Sequence, residues 1–471
     1  MSDEIVICWF TQDLRLNDHP GFFKAAHEGS VLPIYIFDEQ NDKTYPLGQA
    51  SKLWLHHSLH KLNEQLNGAL SFYHGGAEKT LDHLVRIYSV KKIFCAQSYT
   101  YWGIKQQRQI KAALEKRGVE LVIENATLLW APWEVLKKDQ APYKVFRAFY
   151  QHACTGALPP RKPLPCPLFK HIKDHRLSCD LDALKLLPEP TSWAFALMKH
   201  WQVGEVAAQE KLARFLAKKI SIYEKRRDYP ALNGVSYLSM HLHFGEISPN
   251  AIWYAVKSIQ QNKSTEKFLS ELVWREFCYS SLFHYPSMMF DNIQKQFDVF
   301  PWKFNIKLFN AWKSGQTGFP LIDAGMRELW QTGYMHNRVR MICASFLTKN
   351  LMIDWRLGAK WFWDCLIDAD IACNTFNWQW VAGCGMDAAP YFRVFNPVLQ
   401  AKKFDPDGRY IRKYVPELKR LENKYLFDPS SAPGLALTKA KVVLGRDYPK
   451  AIVSLSDSRE KALEAFKITK S

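Results

Sequence analysis

The sequence contains no Cys-x-x-Cys pair, no run of 18 apolar residues and no basic leader ahead of a cleavage site. Its cysteines, at positions 8, 95, 154, 166, 179, 278, 343, 365, 373 and 384, form no ladder of short spacings. A disulfide scaffold and a zinc ribbon are thereby excluded, and a reduced, cytoplasmic setting is the expectation. The opening MSDEIVICWF puts acids before a short apolar run, so no secretory signal is expected. Even the Trp-rich stretches are broken by Arg, Lys and Asp, which argues against a membrane partner. Gly-x-Gly-x-x-Gly is missing after the first predicted strand, so a dinucleotide in the usual phosphate grip is unsupported. Gly-x-Ser-x-Gly is missing too, and no Ser or Cys has a readable partner for hydrolysis.

Acids are also in short supply: 46 Asp and Glu face 63 Lys and Arg, a formal charge of +17 over 471 residues. That length suggests two or three domains. Basic charge beside 17 Trp points to a nucleic-acid partner, because an indole must be buried or stacked on something.

From 4 to 130, β-rich runs (Ile5–Phe10, Val31–Phe37, Leu70–Tyr73, Lys92–Ala96, Leu121–Ile123) alternate with helical stretches at 48–66, 77–88 and 103–117. Alternation of this kind predicts βαβ units around a parallel sheet. Residues 158–167, LPPRKPLPCP, hold five prolines in ten and read as a connector. Beyond about 205 only amphipathic helical patterns recur, at 205–227, 264–284, 305–315, 320–332, 335–351 and 357–368. The expected organisation is an α/β domain over 1–134, a linker over 135–204 and an all-α domain over 205–471.

Eight Trp (302, 312, 330, 355, 361, 363, 378, 380) fall between 302 and 380. A helical core rich in indole accounts for any one of them. Together they could relay a hole from an internal redox group, or form a stacking wall for bases. Glu271, Trp274 and Arg275 share one helix face, and Asn337, Arg340 and Met341 share another. Asp368 and Asp370 lack the His or third acid that a metal site would need, so no metal is expected. A carboxylate accepting from a ring N–H fits better, and Asn374, which can donate and accept, suits a group whose protonation follows its redox state. The run from Asp387 to Pro397 sets Arg393 among aromatics. His241 and His243 have no acidic neighbour in sequence and read as structural.

The stretches GFPLIDAGMRELWQTGYMHNRVRMICASFLTKNLMIDWR and LIDADIACNTFNWQWVAGCGMDAAPYFRVFNPVLQAKKFDPDGRYIR, with the opening WFTQDLRLNDHP, closely resemble the cryptochrome/photolyase family, most of all bacterial cyclobutane pyrimidine dimer photolyases. The resemblance implies a doubly wound parallel α/β antenna domain, a long linker and an all-α domain holding FAD, in a monomer that acts on UV-damaged DNA. It implies that Arg340 and Asp368 pair near the flavin ring, that Asp370 accepts from the ring edge and that Asn374 faces its N5. It gives Tyr223, Ser236, Leu238, Ser239 and Arg275 to the phosphates and ribityl chain. Glu271, Trp274, Asn337, Arg338, Met341, Trp380 and Arg393 are implied for the lesion, and Trp378, Trp355 and Trp302 for electron relay. The string Met335 to Met341 and Asn374 look like dimer photolyases rather than cryptochromes. Three places depart from the family pattern. Val235-Ser236-Tyr237-Leu238-Ser239 stands for the phosphate-gripping TSRLS, Phe268 for an adenine-facing Trp, and Trp102-Gly103 for a folate-holding Asn-Glu. The second chromophore is accordingly open among a folate held differently, a deazaflavin, another flavin and none.

Overall fold

The computed structural model describes residues 4–39, 45–189, 192–388 and 392–470, so Ala389, Pro390 and Tyr391 of the run noted above lie outside the described residues. Five strands, β1 (Ile5–Phe10), β2 (Ser30–Phe37), β3 (Ser71–His74), β4 (Lys92–Ala96) and β5 (Glu120–Glu124), pair in the order β3-β2-β1-β4-β5. All pairings are parallel, with Ile5 opposite Ser30 and Ile7 opposite Ile93. Every residue of β2 is buried, as a strand covered on both faces requires. Helices Pro20–Glu28, Gln49–Gln65, Ala77–Tyr88 and Tyr101–Glu115 follow the strands, and Ile7, Ile34, Leu81, Leu84, Ile93 and Leu114 fill part of the core. This is the doubly wound parallel sheet expected, with each strand within one residue of its predicted bounds.

The turn after β1 shows why no glycine-rich grip is needed there. Asp13 accepts from Thr11 N–H at 2.7 Å, and His19 Nε2 lies 2.8 Å from its other oxygen. Burial would raise the Asp13 carboxyl, but His19 and the hydrogen bonds hold it below its usual range. Arg15, fully buried, donates to the carbonyls of Asp18, Ala126 and Gly245 at 2.7 to 3.1 Å. The turn spends its charges on folding inward at the carboxyl end of β1.

By compactness the chain divides into Met1–Ser221 with Ser236–Pro286, and Ile222–Val235 with Ser287–Ser471. The expected boundaries at 134 and 204 both fall inside the first unit. There the end of the expected linker, past the proline-rich run, is strapped to the sheet: His171 bridges Val31, Cys179 bridges Phe72, and buried Asp174 accepts from Tyr73 and Tyr88 hydroxyls, each at 2.7 Å. Among the described residues the second unit has no strand, only an isolated bridge between Leu444 and Tyr448.

Two helical expectations change in detail, and a helix of the second unit goes unread. The pattern at 205–227 ends at Lys218 and resumes as short turns. The pattern at 335–351 is a helix Asn337–Ser345 running into a π turn Phe346–Asn350, where Thr348 donates back to the Ala344 carbonyl at 2.8 Å. The helix Ile371–Ala382 was not predicted at all. Nine of its twelve residues are buried, and the three that are not, Cys373, Asn377 and Trp380, include one polar residue, so the sequence shows little amphipathic contrast. Its ends carried the signal: Asp370 caps it by accepting from Cys373 N–H at 2.8 Å, and Gly383 closes it at φ 98°.

Candidate functional site

In the second unit the helices Asn337–Ser345 and Ile371–Ala382, with Phe362, Leu366, Asp368 and Ala369, enclose a cavity of about 90 Å³. Asn337, Arg340, Met341 and Ala344 form one stripe of the first helix; Cys373, Asn374, Asn377, Trp378 and Val381 form one stripe of the other. Six residues singled out in the sequence therefore meet here: Asn337, Arg340, Met341, Asp368, Asn374 and Trp378.

Arg340 donates to Asp368 at 2.9 Å and to the Met335 carbonyl at 2.6 Å, and lies 5.2 Å over the Tyr334 ring. Burial works against its charge, but Asp368 outweighs it and the guanidinium pKa is raised. The cavity thus keeps a fixed cation. Asn374 donates its amide nitrogen to the Ala359 carbonyl at 3.1 Å, which turns the amide so that its oxygen is the end left for the cavity. Asp370 is buried but does not line the cavity; one of its oxygens serves the helix cap.

Trp378 lines the cavity, edge-on to Phe362 at 4.9 Å and to Trp312 at 6.3 Å. Its ring rests on Gly358, where an added Cβ would come within 2.2 Å. Gly358 is three residues after Trp355 on the helix Trp355–Cys365, so Trp355 and the seat of Trp378 share a helix face. Trp355 is fully buried and donates to Asn292 at 3.0 Å. Trp302 is half-buried, 4.4 Å from the Phe300 ring, and its indole N–H is buried with no partner among the described residues. Trp330 and Trp361 stack on each other at 5.7 Å.

The remaining predicted residues of this unit lie outside the cavity lining. Arg338 pairs with Asp228 at 3.0 Å, lies 4.6 Å over Phe404 and reaches Met341 Sδ at 3.8 Å, so it braces a cavity residue. Trp380 donates to the Asp387 carbonyl at 2.9 Å. Tyr223 is buried with Arg227 5.4 Å over its ring, and Arg393 lines a different cavity.

In the first unit, the helix Lys263–His284 carries Glu271, Trp274 and Arg275. Glu271 pairs with Lys267 at 2.9 Å. Trp274 is covered on one face by Phe146, whose ring lies parallel at 3.6 Å. Sequence reasoning missed Phe146, since nothing in its neighbourhood marks a partner 128 positions away. Arg275 donates to the Thr127 carbonyl at 2.7 Å and lies 4.8 Å over Tyr279. Glu276 accepts from Leu129 and Trp130 N–H at 2.9 and 3.3 Å, and burial pushes its carboxyl up to about 7. Leu238 is buried; Ser236 Oγ accepts from Leu238 N–H at 3.4 Å, and Ser239 donates to Met240 Sδ at 3.4 Å. Tyr237, one of the departures, sits at φ 56° between Trp201 and Lys219. Phe268, another, packs on Phe215 at 4.7 Å.

Among the described residues no three His, Cys, Asp or Glu gather as a metal site, and no helix is long and apolar enough to cross a membrane.

Comparison with known proteins gives the family. Residues 6–168 match the DNA photolyase family and residues 268–468 the FAD binding domain of DNA photolyase. The deoxyribodipyrimidine photo-lyase of Agrobacterium fabrum is 43% identical over 99% of this chain and 98% of its own length. Cryptochrome-2 of Arabidopsis thaliana is 33% identical over 99% of the chain and 79% of its own length. The crystal structure of a bacterial class III photolyase from Agrobacterium tumefaciens superposes with a TM-score of 0.95 at 43% identity, covering 100% of this chain and 98% of that one. With an α/β sheet domain, a helical FAD-binding domain and relatives aligned along nearly its full length, the chain belongs to the DNA photolyase and cryptochrome family.

Proposed function

We propose that the protein is a deoxyribodipyrimidine photolyase that splits cyclobutane pyrimidine dimers in UV-damaged DNA under blue light. The observation that carries this reading is the meeting of Arg340, Asp368, Asn374, Asn337, Met341 and Trp378 at one cavity of about 90 Å³. The donor set suits a flavin: a cation locked by a carboxylate, an amide oxygen turned to accept a ring N–H, and an apolar wall of Phe362, Leu366 and Trp378. FAD, when bound and reduced, supplies the electron that light releases to the dimer.

The chain's residues do the rest. Arg340 favours negative charge at the ring, and Asp368 keeps Arg340 in place. Asn374 holds a proton at the ring edge through its oxygen, while Asp370 fixes the start of the helix that presents Asn374. Trp378, Trp355 and Trp302 carry an electron inward to restore the reduced state. Tyr223, Ser236, Leu238, Ser239 and Arg275 are assigned to the remainder of the cofactor. The lesion is assigned to Glu271, Trp274, Asn337, Arg338, Met341, Trp380 and Arg393. A dimer is already poorly paired and stacked, so flipping it out costs less than flipping a sound base. A second, light-harvesting chromophore completes the reading: a folate, a deazaflavin or another flavin.

Photoreduced, FAD-loaded protein should clear dimers from irradiated oligothymidine in blue light and leave them in the dark. The second reading, a blue-light photoreceptor without repair, is favoured by the match to Arabidopsis cryptochrome-2 over 99% of the chain. It requires the same flavin, a light-dependent protein contact and no loss of dimers.

A further inference from the structure

Around Trp302 the second unit turns apolar side chains outward: Val299, Phe304 and Ile306 are 62%, 67% and 51% exposed. The segment that carries them is anchored from within. Phe297 and Phe300 are buried, and the Phe300 ring lies 4.4 Å from the half-buried indole of Trp302. Lys303 N–H donates to the Met352 carbonyl at 2.7 Å, and Asn305 caps the helix Ile306–Lys313 by accepting from Lys307 and Leu308 N–H, each at 3.1 Å. The exposure therefore belongs to a fixed surface, and apolar side chains held out to water on such a surface mark a contact site. One sign of charge frames it. Lys303 and Lys307 are exposed, and among the described residues neither pairs with a carboxylate. Asp298, the acid between Lys295 and Lys307, is taken up elsewhere: it accepts from Asn292 at 2.8 Å and lies 3.9 Å from Lys295, which also reaches Asp291 at 3.6 Å.

We propose that this face docks a small acidic protein that carries one electron, and that Trp302 is where the electron enters the chain. The proposal rests on the relay reading of Trp378, Trp355 and Trp302 given above. When an electron has moved inward from Trp302, the indole is left as a radical cation, one electron short. The reduced metal centre of the carrier gives up one electron and is oxidised by one, and the neutral indole is restored with no bond made or broken and no proton moved. Encounters between redox proteins use small interfaces, below about 1,200 Å², so a few apolar side chains framed by cations suffice. Lys303 and Lys307, with the net charge of +17 behind them, steer an acidic partner to the patch, and Phe304 and Ile306 supply the dry contact beside the indole.

The test illuminates the FAD-loaded full chain, flavin oxidised, with one of three donors: dithiothreitol, a reduced acidic blue-copper protein, or reduced cytochrome c, which is basic. Flavin absorbance follows the electrons received, and copper or haem absorbance the electrons given. At low salt the acidic carrier should support photoreduction about tenfold faster than the basic one, an advantage that salt erases. Reversing charge at both lysines, Lys303→Glu with Lys307→Glu, should remove that advantage and leave the flavin spectrum and the rate with dithiothreitol unchanged, since both positions are exposed. Equal rates with the two carriers, or a carrier rate untouched by charge reversal, overturns the proposal. Trp302→Phe should slow photoreduction with every donor. If it is as fast as the wild type, the relay reading fails and takes the proposal with it; if it is slow while charge reversal changes nothing, the docking proposal alone falls. A dimer of this chain that Phe304→Ser dissolves, with carrier rates unmoved, would give the face to a second copy and overturn the proposal as well.

Discussion

At the scale of single residues, the cavity depends on pairs more than on individuals. Asp368→Asn leaves the half-buried Arg340 without its charge partner at 2.9 Å, a loss smaller than the about 3–5 kcal/mol of a fully buried pair. The denaturation midpoint should fall accordingly, with a parallel drop in FAD per protein; an unchanged midpoint would show that the pair contributes little. Trp378→Phe should slow photoreduction of oxidised flavin while chemically reduced protein repairs at nearly the wild-type rate. Equal loss of both activities would make Trp378 a packing residue. Gly358→Ala is the companion change, because its Cβ would lie within 2.2 Å of the Trp378 ring. Overpacking of that kind costs about 1–3 kcal/mol and should displace the indole, lowering photoreduction with every cavity-lining residue still in place in the sequence.

At the scale of elements, legibility followed periodicity. Strands β1 to β5 were readable because β-rich runs stand between turn residues and helical stretches, and the helix bearing Arg340 because its polar stripe recurs at helical spacing. The helix Ile371–Ala382 was not readable, since burial on nearly all sides erases the period, although Asn374 and Trp378 on it were recognised by chemistry and resemblance. Partners distant in sequence were equally hidden: Phe146 on Trp274, Gly358 under Trp378, Thr127 on Arg275. A pH test belongs at this scale. Glu276 joins the helix Lys263–His284 to the turn at Leu129 and Trp130, and its carboxyl titrates near 7 when folded against 4.5 in its ordinary state. The folded protein therefore binds the extra proton between these values, so this group's contribution is full below 4.5 and is lost as pH rises through about 7. Glu276→Gln should remove that part of the slope in denaturation profiles; an identical slope in both proteins would show that Glu276 does not titrate in this window.

For the whole molecule, composition suggested that +17 charges and 17 Trp served one nucleic-acid surface. The structure divides them. Trp378 belongs to the cavity, Trp355 lies on the face that seats it, and Trp312, Trp330 and Trp361 pack against neighbours, with Trp330 and Trp361 stacked together. The basic excess remains free to meet phosphate, so affinity for damaged DNA should fall steeply between low and physiological salt as counterions are released, and a flat response would count against a phosphate track. The central claim, that light acting on a flavin in this protein splits pyrimidine dimers, is tested most directly by counting dimers lost per bound FAD in photoreduced protein given irradiated oligothymidine. Several dimers lost per FAD in blue light and none in the dark is the predicted result; a fully FAD-loaded sample that binds the oligonucleotide and loses no dimers in light would contradict it.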